Sequence, residues 1–450
     1  MNKFIFGLIL ALSIYLVSCK VESISSDSID LRLQSIIKDH SKTGSLDYYI
    51  MPESDDYANL PNQDPKNPIT AEKAKLGKLL FFETGLAKSP KKAESLNTYS
   101  CSSCHVPEKN FTAGRVQGIA DGAVGFGHLG EARQKNRNYL GSEVDAQGAR
   151  PLPTINLTYV RVALWSGAFG ANGLNEGTKE AWGVKDSLTS INYLGMEGLE
   201  SNNTRALFVH RQEVDKELMQ ELGLKKFFDD AFPNLPEDER YTKQTASNAI
   251  AAYFRTILTN RAPFQKWLKG DVNAMTVQQK RGAELFFGKA ACINCHNSPS
   301  FNNQRFAAVG ALNLFQNKQE VFRTDVNDLR NIGRAGFTGV DDDLYKYKVP
   351  QLYNLKGVGF YLHGASKNTL REVVEYFNRA IPENAQVPLD RIDRQFKPLH
   401  LTASEIDDLT EFLENGLYDP DLIRYKPEFI MSGMCFPNND PTSKKQMGCK

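Results

Sequence analysis

Cys101-Ser102-Ser103-Cys104-His105 decides how this chain is read, and the same pattern returns as Cys292-Ile293-Asn294-Cys295-His296. Two thiols one helical turn apart can each add to one vinyl group of a single porphyrin. The adjoining imidazole then lies under the iron as its proximal ligand, so C-x-x-C-H is the attachment signature of a c-type haem. The pattern C-x-x-C also serves thioredoxin-like redox pairs and half zinc sites. The first expects a preceding strand in a βαβ unit and the second gathers four ligands in one cluster, and neither context surrounds these motifs. With seven cysteines and seven histidines in 450 residues, chance supplies only about 0.002 such motifs. The expectation is two covalently bound haem c groups, one on Cys101 and Cys104 with His105 as metal ligand, the other on Cys292 and Cys295 with His296.

The flanks of the two motifs are alike. Thr70-Ala-Glu-Lys-Ala-Lys-Leu-Gly77-Lys-Leu-Leu-Phe81-Phe82 precedes the first, and Thr276-Val-Gln-Gln-Lys-Arg-Gly282-Ala-Glu-Leu-Phe286-Phe287 precedes the second. Each has a threonine fit to cap a helix, a helical run ending in Phe-Phe, and a glycine five residues before the second Phe. Thr276 with Gln279 fits a capping box. This pattern reads as an internal duplication of a small helical cytochrome fold, with a loop inserted in the first copy between Phe82 and Cys101. Further helices are expected over 245–258, from the capping box Thr369-Leu-Arg-Glu372 to about Asn378, and from Thr402-Ala-Ser-Glu405 to a stop at Gly416. Strand signals are sparse, and 113–150 and 165–195 read as long Gly/Asn-rich loops, which in a compact domain are usually functional. The expected fold class is mainly α: two cytochrome c-like haem domains, long irregular loops and few strands.

Met1 to Cys19 carries one early positive charge, Lys3, then an apolar core from Phe4 to Val17, and closes Leu16-Val17-Ser18-Cys19. It reads as an export signal ending in a lipobox, whose cysteine becomes lipidated after cleavage. The simpler alternative is a plain secretory signal with an incidental cysteine. The expected location is periplasmic, anchored by lipid to a bacterial membrane at Cys19. Expected boundaries are 1–19 signal, 20–60 polar tether, 61–265 N-terminal haem domain, 266–430 C-terminal haem domain and 431–450 tail. Cys435 and Cys449 are expected to pair in the tail, since an exported protein sits where disulfides persist; two free thiols are the alternative. Basic and acidic residues nearly cancel, 54 against 53, which argues against a nucleic-acid binder. No further long apolar stretch exists, which excludes a multi-span membrane protein.

At this point the residues resemble the bacterial di-haem cytochrome c peroxidases, a family that includes the enzyme maturing methylamine dehydrogenase (MauG-like). The resemblance runs from about Leu76 to Leu417. It is carried by Leu76-Gly77-Lys78-Leu79-Leu80-Phe81-Phe82, the first haem motif with Phe111-Thr112, Arg150-Pro-Leu-Pro-Thr-Ile-Asn156 and Leu164-Trp165-Ser166-Gly167. It continues through Tyr253-Phe254-Arg255-Thr256-Ile257-Leu258, the second haem motif, Lys348-Val-Pro350-Gln-Leu352-Tyr-Asn354 and Phe360-Tyr-Leu-His363-Gly364 through Asn378. The resemblance implies a peroxidase that reduces hydrogen peroxide to water. Peroxide would bind at the N-terminal haem, and a small cytochrome c or cupredoxin would feed electrons to the C-terminal one. Homodimers are frequent in the family.

Residue by residue, the resemblance implies that Trp165 bridges the haems, that Arg150 pairs with a haem propionate, and that His128, in a glycine-flanked loop, caps the N-terminal iron at rest. The family's distal glutamate follows a glutamine by about ten residues. Asn202 stands at the glutamine position, and His210 and then Glu213 are the nearest candidates for the acid–base role. Glu197 and Glu200 are upstream alternatives. His363 is expected to be structural. Three departures stand out. Ser166 replaces an aspartate. Phe377 falls where the C-terminal haem takes its sixth ligand, leaving Met431, Met434 or Met447 as substitutes. Pro151 replaces an asparagine that helps hold a calcium ion, leaving only backbone carbonyls for that ion. Two competing readings remain: oxidation of a protein or organic substrate, and a di-haem electron carrier without catalysis.

Overall fold

The computed structural model describes residues 26–449; the signal segment and Cys19 lie outside the described residues. Within them the chain forms thirteen α-helices. They are α1 (Ser26–His40), α2 (Ala71–Phe82), α3 (Gly198–Val209), α4 (Lys216–Glu221), α5 (Lys225–Ala231), α6 (Glu237–Arg240), α7 (Lys243–Thr256), α8 (Pro263–Leu268), α9 (Val277–Phe287), α10 (Ala335–Thr338), α11 (Leu370–Arg379), α12 (Ala403–Glu411) and α13 (Pro441–Met447). Strand is confined to two antiparallel ribbons of two residues a side. One pairs β1 (Ala123–Val124) with β2 (Gln134–Lys135), and the other pairs β3 (Phe306–Ala307) with β4 (Tyr347–Lys348). The structure is therefore mainly helical with few strands, as the sequence implies.

The helix starts follow the capping chemistry. The side chains of Thr70, Thr242, Thr276, Thr369 and Thr402 each accept a hydrogen bond from a backbone N–H in the first turn of the helix they open. The last four of these complete capping boxes, with Thr245, Gln279, Glu372 and Glu405. The helix opened by Thr402 runs past Glu411 into a single π turn, Phe412–Gly416.

The repeated glycines show why the duplication reads as it does. α2 packs on α7, and a Cβ on Gly77 would lie 1.9 Å from the carbonyl oxygen of Ala249. α9 packs on α12, and a Cβ on Gly282 would lie 2.0 Å from the carbonyl oxygen of Asp408. In both halves the helix before the haem motif crosses a later helix at backbone contact, which only glycine permits. The Phe-Phe pairs close each helix into its own core. Phe81 and Phe82 join Leu76, Phe111, Tyr253 and Phe254, while Phe286 and Phe287 join Phe264, Phe301, Tyr353 and Phe412.

The packing shows what lies on either side of two expected boundaries. The polar tether proposed for 20–60 is not a free strap along its described length. Leu33, Ile37, Tyr49, Met51 and Leu60 are buried in the C-terminal core, and α1 lies on α9. Asp30 accepts from Trp267 Nε1 at 2.7 Å and pairs with buried Lys280 at 2.7 Å. The chain enters this core before it builds the N-terminal one. Conversely, Leu422, Tyr425 and Ile430 return to the N-terminal core. The two halves are thus interlaced rather than split at residue 265. Cys435 and Cys449 are bonded to each other, which closes the tail loop. That tail is also stapled to the first haem motif, where Ser100 and Ser103 donate to the Pro437 carbonyl at 3.1 and 3.0 Å.

Candidate functional site

The two C-x-x-C-H segments fold alike. Each is a single 3₁₀ turn, Cys101–Ser103 and Cys292–Asn294. In each, the histidine N–H bonds back to the first cysteine's carbonyl, at 3.2 Å for His105 and 3.0 Å for His296. That places both sulfurs and the ring on one turn. Each imidazole uses Nδ1 on a backbone carbonyl a few residues on: Phe111 at 3.2 Å for His105 and Phe301 at 2.7 Å for His296. Nδ1 is thereby committed to a main-chain carbonyl, the arrangement that orients and tunes a metal-ligating histidine, and the His296 imidazole has the Pro350 carbonyl as a second backbone partner. Burial pushes both imidazoles down to about 4, so they are neutral and able to donate a lone pair. The four thiols are not paired with one another. Burial pushes Cys101, Cys104 and Cys292 up to about 12 and raises Cys295 as well. Among the described residues no cluster of three or more His, Cys, Asp and Glu groups forms a metal site of another kind.

A cavity of about 350 Å³ opens beside the first motif. Cys101, Cys104 and His105 line it, together with Arg150, Trp165 and His210, residues far apart in sequence. α3 supplies one wall, presenting Leu199, Asn202, Asn203, Ala206 and Val209, the spacing of a single helix face, with His210 as its C-cap. His210 Nδ1 lies 2.7 Å from Oδ2 of Asp145, a buried carboxylate that also lines the cavity. Several buried polar atoms of the lining have no protein partner: Asn202 Oδ1, Asn203 Nδ2, Arg205 Nε, Gln147 Oε1 and Thr154 Oγ1. Orphaned buried polar atoms in such number point to a guest that satisfies them.

Arg150 and Trp165 form one unit. Trp165 Nε1 donates to the Arg150 carbonyl at 2.8 Å, and the guanidinium lies 5.7 Å from the indole centroid. The guanidinium is buried and bonded only to carbonyls, Leu362 at 3.0 Å and Pro151 at 3.4 Å. Burial pushes it down to about 10. Lys348 lines the same cavity, donates to the Val162 carbonyl at 2.7 Å, and is pushed by burial down to about 7. Two buried cations that have only carbonyl partners suit an anionic guest such as a pair of propionates. With the free thiols and the oriented imidazole, these residues fit a haem. They do not fit calcium: the Pro151 carbonyl already accepts from Thr112 Oγ1 at 3.1 Å, and the nearest charges are positive.

The other candidates are placed as follows. Glu213 lies away from the cavity lining and pairs with Lys243 at 2.8 Å. Glu197 pairs with Arg161 at 2.8 Å, and buried Glu200 holds Arg255 at 2.6 and 2.9 Å, so both are spent on ion pairs. His128 is exposed and does not line the cavity; Glu131 caps the N–H groups of His128 and Leu129 at 3.0 and 2.7 Å. His363 is buried, stacked on Tyr347 at 3.7 Å and bonded through Nε2 to Asn313 at 3.0 Å. The Phe377 ring packs against Tyr376 and Phe396. The neighbouring Tyr376 hydroxyl donates to the Val309 carbonyl at 2.5 Å. Met431 and Met434 pack on the N-terminal core, and Met447 ends the tail helix whose Gln446 holds Phe126, so all three belong to the other half. Asp145 and Lys348 are the functional candidates that sequence reasoning missed. Lys348 stood inside a quoted motif, but nothing in the chain's pattern marked Asp145.

Two matched Cys-x-x-Cys-His turns thus lie on a mainly helical scaffold, and one of them faces a cavity that His210 also lines. Residues 71–273 match the family described as di-haem cytochrome c peroxidase. The chain is 28% identical over 370 residues to cytochrome-c peroxidase IdrP1 of Denitromonas iodatirespirans, covering 77% of this chain and 82% of that protein. It is 27% identical over 356 residues to the methylamine utilization protein MauG of Methylorubrum extorquens, covering 79% and 80%. With cytochrome c551 peroxidase of Nitrosomonas europaea the identity is 26% over 392 residues, covering 86% and 91%. In fold it resembles a MauG-like protein associated with microbial copper homeostasis, at a TM-score of 0.55 and 23% identity, over 83% of this chain and 96% of that one.

Proposed function

We propose that this protein is a peroxidase with two haems held through thioethers, reducing hydrogen peroxide to water with electrons from a small cytochrome c or cupredoxin. The observation that supports it most is the single cavity that brings Cys101, Cys104, His105 and Trp165 together with an uncommitted imidazole nitrogen on His210. The bound haems supply iron and a store of electrons; the rest falls to the chain's own side chains. Peroxide reduction takes two electrons and two protons and breaks the O–O bond, and it needs a group that moves a proton between the two oxygens. His210 is the titratable side chain of the lining suited to that task, since Glu213, Glu197 and Glu200 are paired elsewhere. Arg150 and Lys348 would hold the carboxylates of the porphyrin, and Trp165, bonded to the Arg150 carbonyl, would lie on the electron path. The family departures at Phe377 favour a second reading, oxidation of a protein or organic substrate, because that side chain offers the C-terminal haem no ligand. Export, lipid anchoring at Cys19 and a homodimer complete the proposal. Among the described residues no helix is long and apolar enough to cross a membrane.

Stopped-flow mixing tests this. Fully reduced protein is expected to be reoxidised by stoichiometric hydrogen peroxide and to turn over with a reduced small cytochrome. Failure of reoxidation would leave an electron carrier, and reoxidation without turnover would favour the second reading.

A further inference from the structure

We infer that Asp145 is the positioning residue of a His–Asp proton shuttle, holding His210 so that its Nε2 alone faces the haem cavity. The inference rests on the peroxidase reading and specifies how its acid–base step is built.

Both partners are fixed by several bonds. His210 ends α3. Its N–H donates to the Ala206 carbonyl at 2.8 Å, and its own carbonyl accepts from the Tyr99 hydroxyl at 2.8 Å. Asp145 is clamped by its backbone, its N–H donating to Asp121 at 2.8 Å and its carbonyl accepting from Ala120 at 2.9 Å. Its side chain is only 3% exposed and has Arg211 Nη2 at 3.5 Å. Arg211 is in turn held by Asp121 at 2.7 and 3.0 Å, and Asp121 by the Tyr139 hydroxyl at 2.8 Å and the Lys91 N–H at 2.7 Å. The carboxylate therefore cannot swing away from the imidazole without breaking a buried network. Opposing burial, the charges of His210, Arg211 and Arg323 hold Asp145 below the usual carboxylate range, so it stays ionised as an acceptor.

An ionised carboxylate 2.7 Å from Nδ1 selects the tautomer protonated there. Nε2 then carries the lone pair. It takes one proton from hydrogen peroxide, and Asp145 stabilises the imidazolium that results, as a buried aspartate does for a catalytic histidine. Nε2 gives the same proton to the second oxygen as the O–O bond breaks, and that oxygen departs as water. The donor's two electrons and two solvent protons convert the other oxygen into the second water. The shuttle ends as it began.

The test reads cyanide association with the ferric holoprotein, because hydrogen cyanide must lose its proton to bind iron and the measurement needs no turnover. Asp145→Asn is expected to slow association roughly tenfold to hundredfold, the usual cost of losing such an orienting partner, with haem content unchanged. Asp145→Glu should restore most of the rate. In a His210→Gln background, Asp145→Asn should add nothing. Parental association in Asp145→Asn, or an equal slowing in the presence and absence of His210, overturns the inference. If Asp145→Asn fails to take up haem, His210→Gln and Asp145→Glu decide together: a parental rate in His210→Gln overturns the shuttle, and a slowed rate there with a near-parental rate in Asp145→Glu supports it. Failure of the peroxidase reading is a different result, the parent protein not being reoxidised by peroxide.

Discussion

Gly77→Ala and Gly282→Ala test whether the two halves are built by the same close helix crossing. The added methyl carbon would lie 1.9 Å from the Ala249 oxygen in the first case, and 2.0 Å from the Asp408 oxygen and 2.6 Å from Phe412 Cβ in the second. Such contacts do not occur below 3.0 Å, so each helix pair must separate by about 1 Å. The atoms met are helical backbone, which cannot rotate aside. Two effects oppose each other. Alanine gains about 1 kcal/mol of helix propensity over glycine. Overpacking a well-filled core costs about 1–3 kcal/mol, and a backbone clash belongs at or beyond the upper end. The clash wins, with a net loss of about 2 kcal/mol, which lowers Tm by roughly 2 °C for an interlaced unit of this length. Calorimetry of the holoprotein measures this, and a pyridine haemochrome assay shows whether a haem is lost with it. Gln278→Ala, on the exposed side of α9, is the control and should stay within about 0.5 kcal/mol of the parent. If both glycine variants melt with the control, the helices do not touch as described and the duplication argument loses its physical basis.

Two further outcomes are expected. Trp165→Phe removes the 2.8 Å bond to the Arg150 carbonyl while keeping a ring in place, so inter-haem electron transfer should slow with both haems retained; unaltered turnover would remove Trp165 from the path. His363 is buried and pushed down to about 3, below its ordinary value near 6.5. The unfolded chain binds this proton first, so stability should fall as pH drops from about 6.5 towards 3, by at most about 1.4 kcal/mol per unit from this one group. His363→Gln should flatten that slope in acid denaturation, and equal slopes in parent and variant would contradict it.

What the sequence made legible is what local chemistry encodes. The C-x-x-C-H turns, the threonine caps and the Phe-Phe helices depend on residues within about one turn of one another, and spacing reveals them. The role of the N-terminal segment was not legible. Ile29, Leu33, Ile36 and Ile37 recur at helical spacing in α1, but what that face packs on, α9 and Trp267 more than two hundred residues on, is set by tertiary contact alone. The interlacing of the halves is hidden for the same reason.

The distal group shows both limits at once. Spacing from Asn202 led to His210, and α3 with its C-cap carries both residues on the wall of one cavity. A glutamate there would have combined proton carrier and negative charge in one side chain. Here the carrier ends a helix while the charge, Asp145, comes from a loop 65 residues earlier. A helix end preserves position through its geometry, so it can be read by counting. A loop carboxylate meets its partner only through tertiary contacts, the bonds to Ala120, Asp121 and Arg211, and no count along the chain could have found it. On the proposed shuttle the acid–base chemistry would belong to the pair, and substitutions in the 113–150 loop should alter proton transfer while leaving both haem attachments intact.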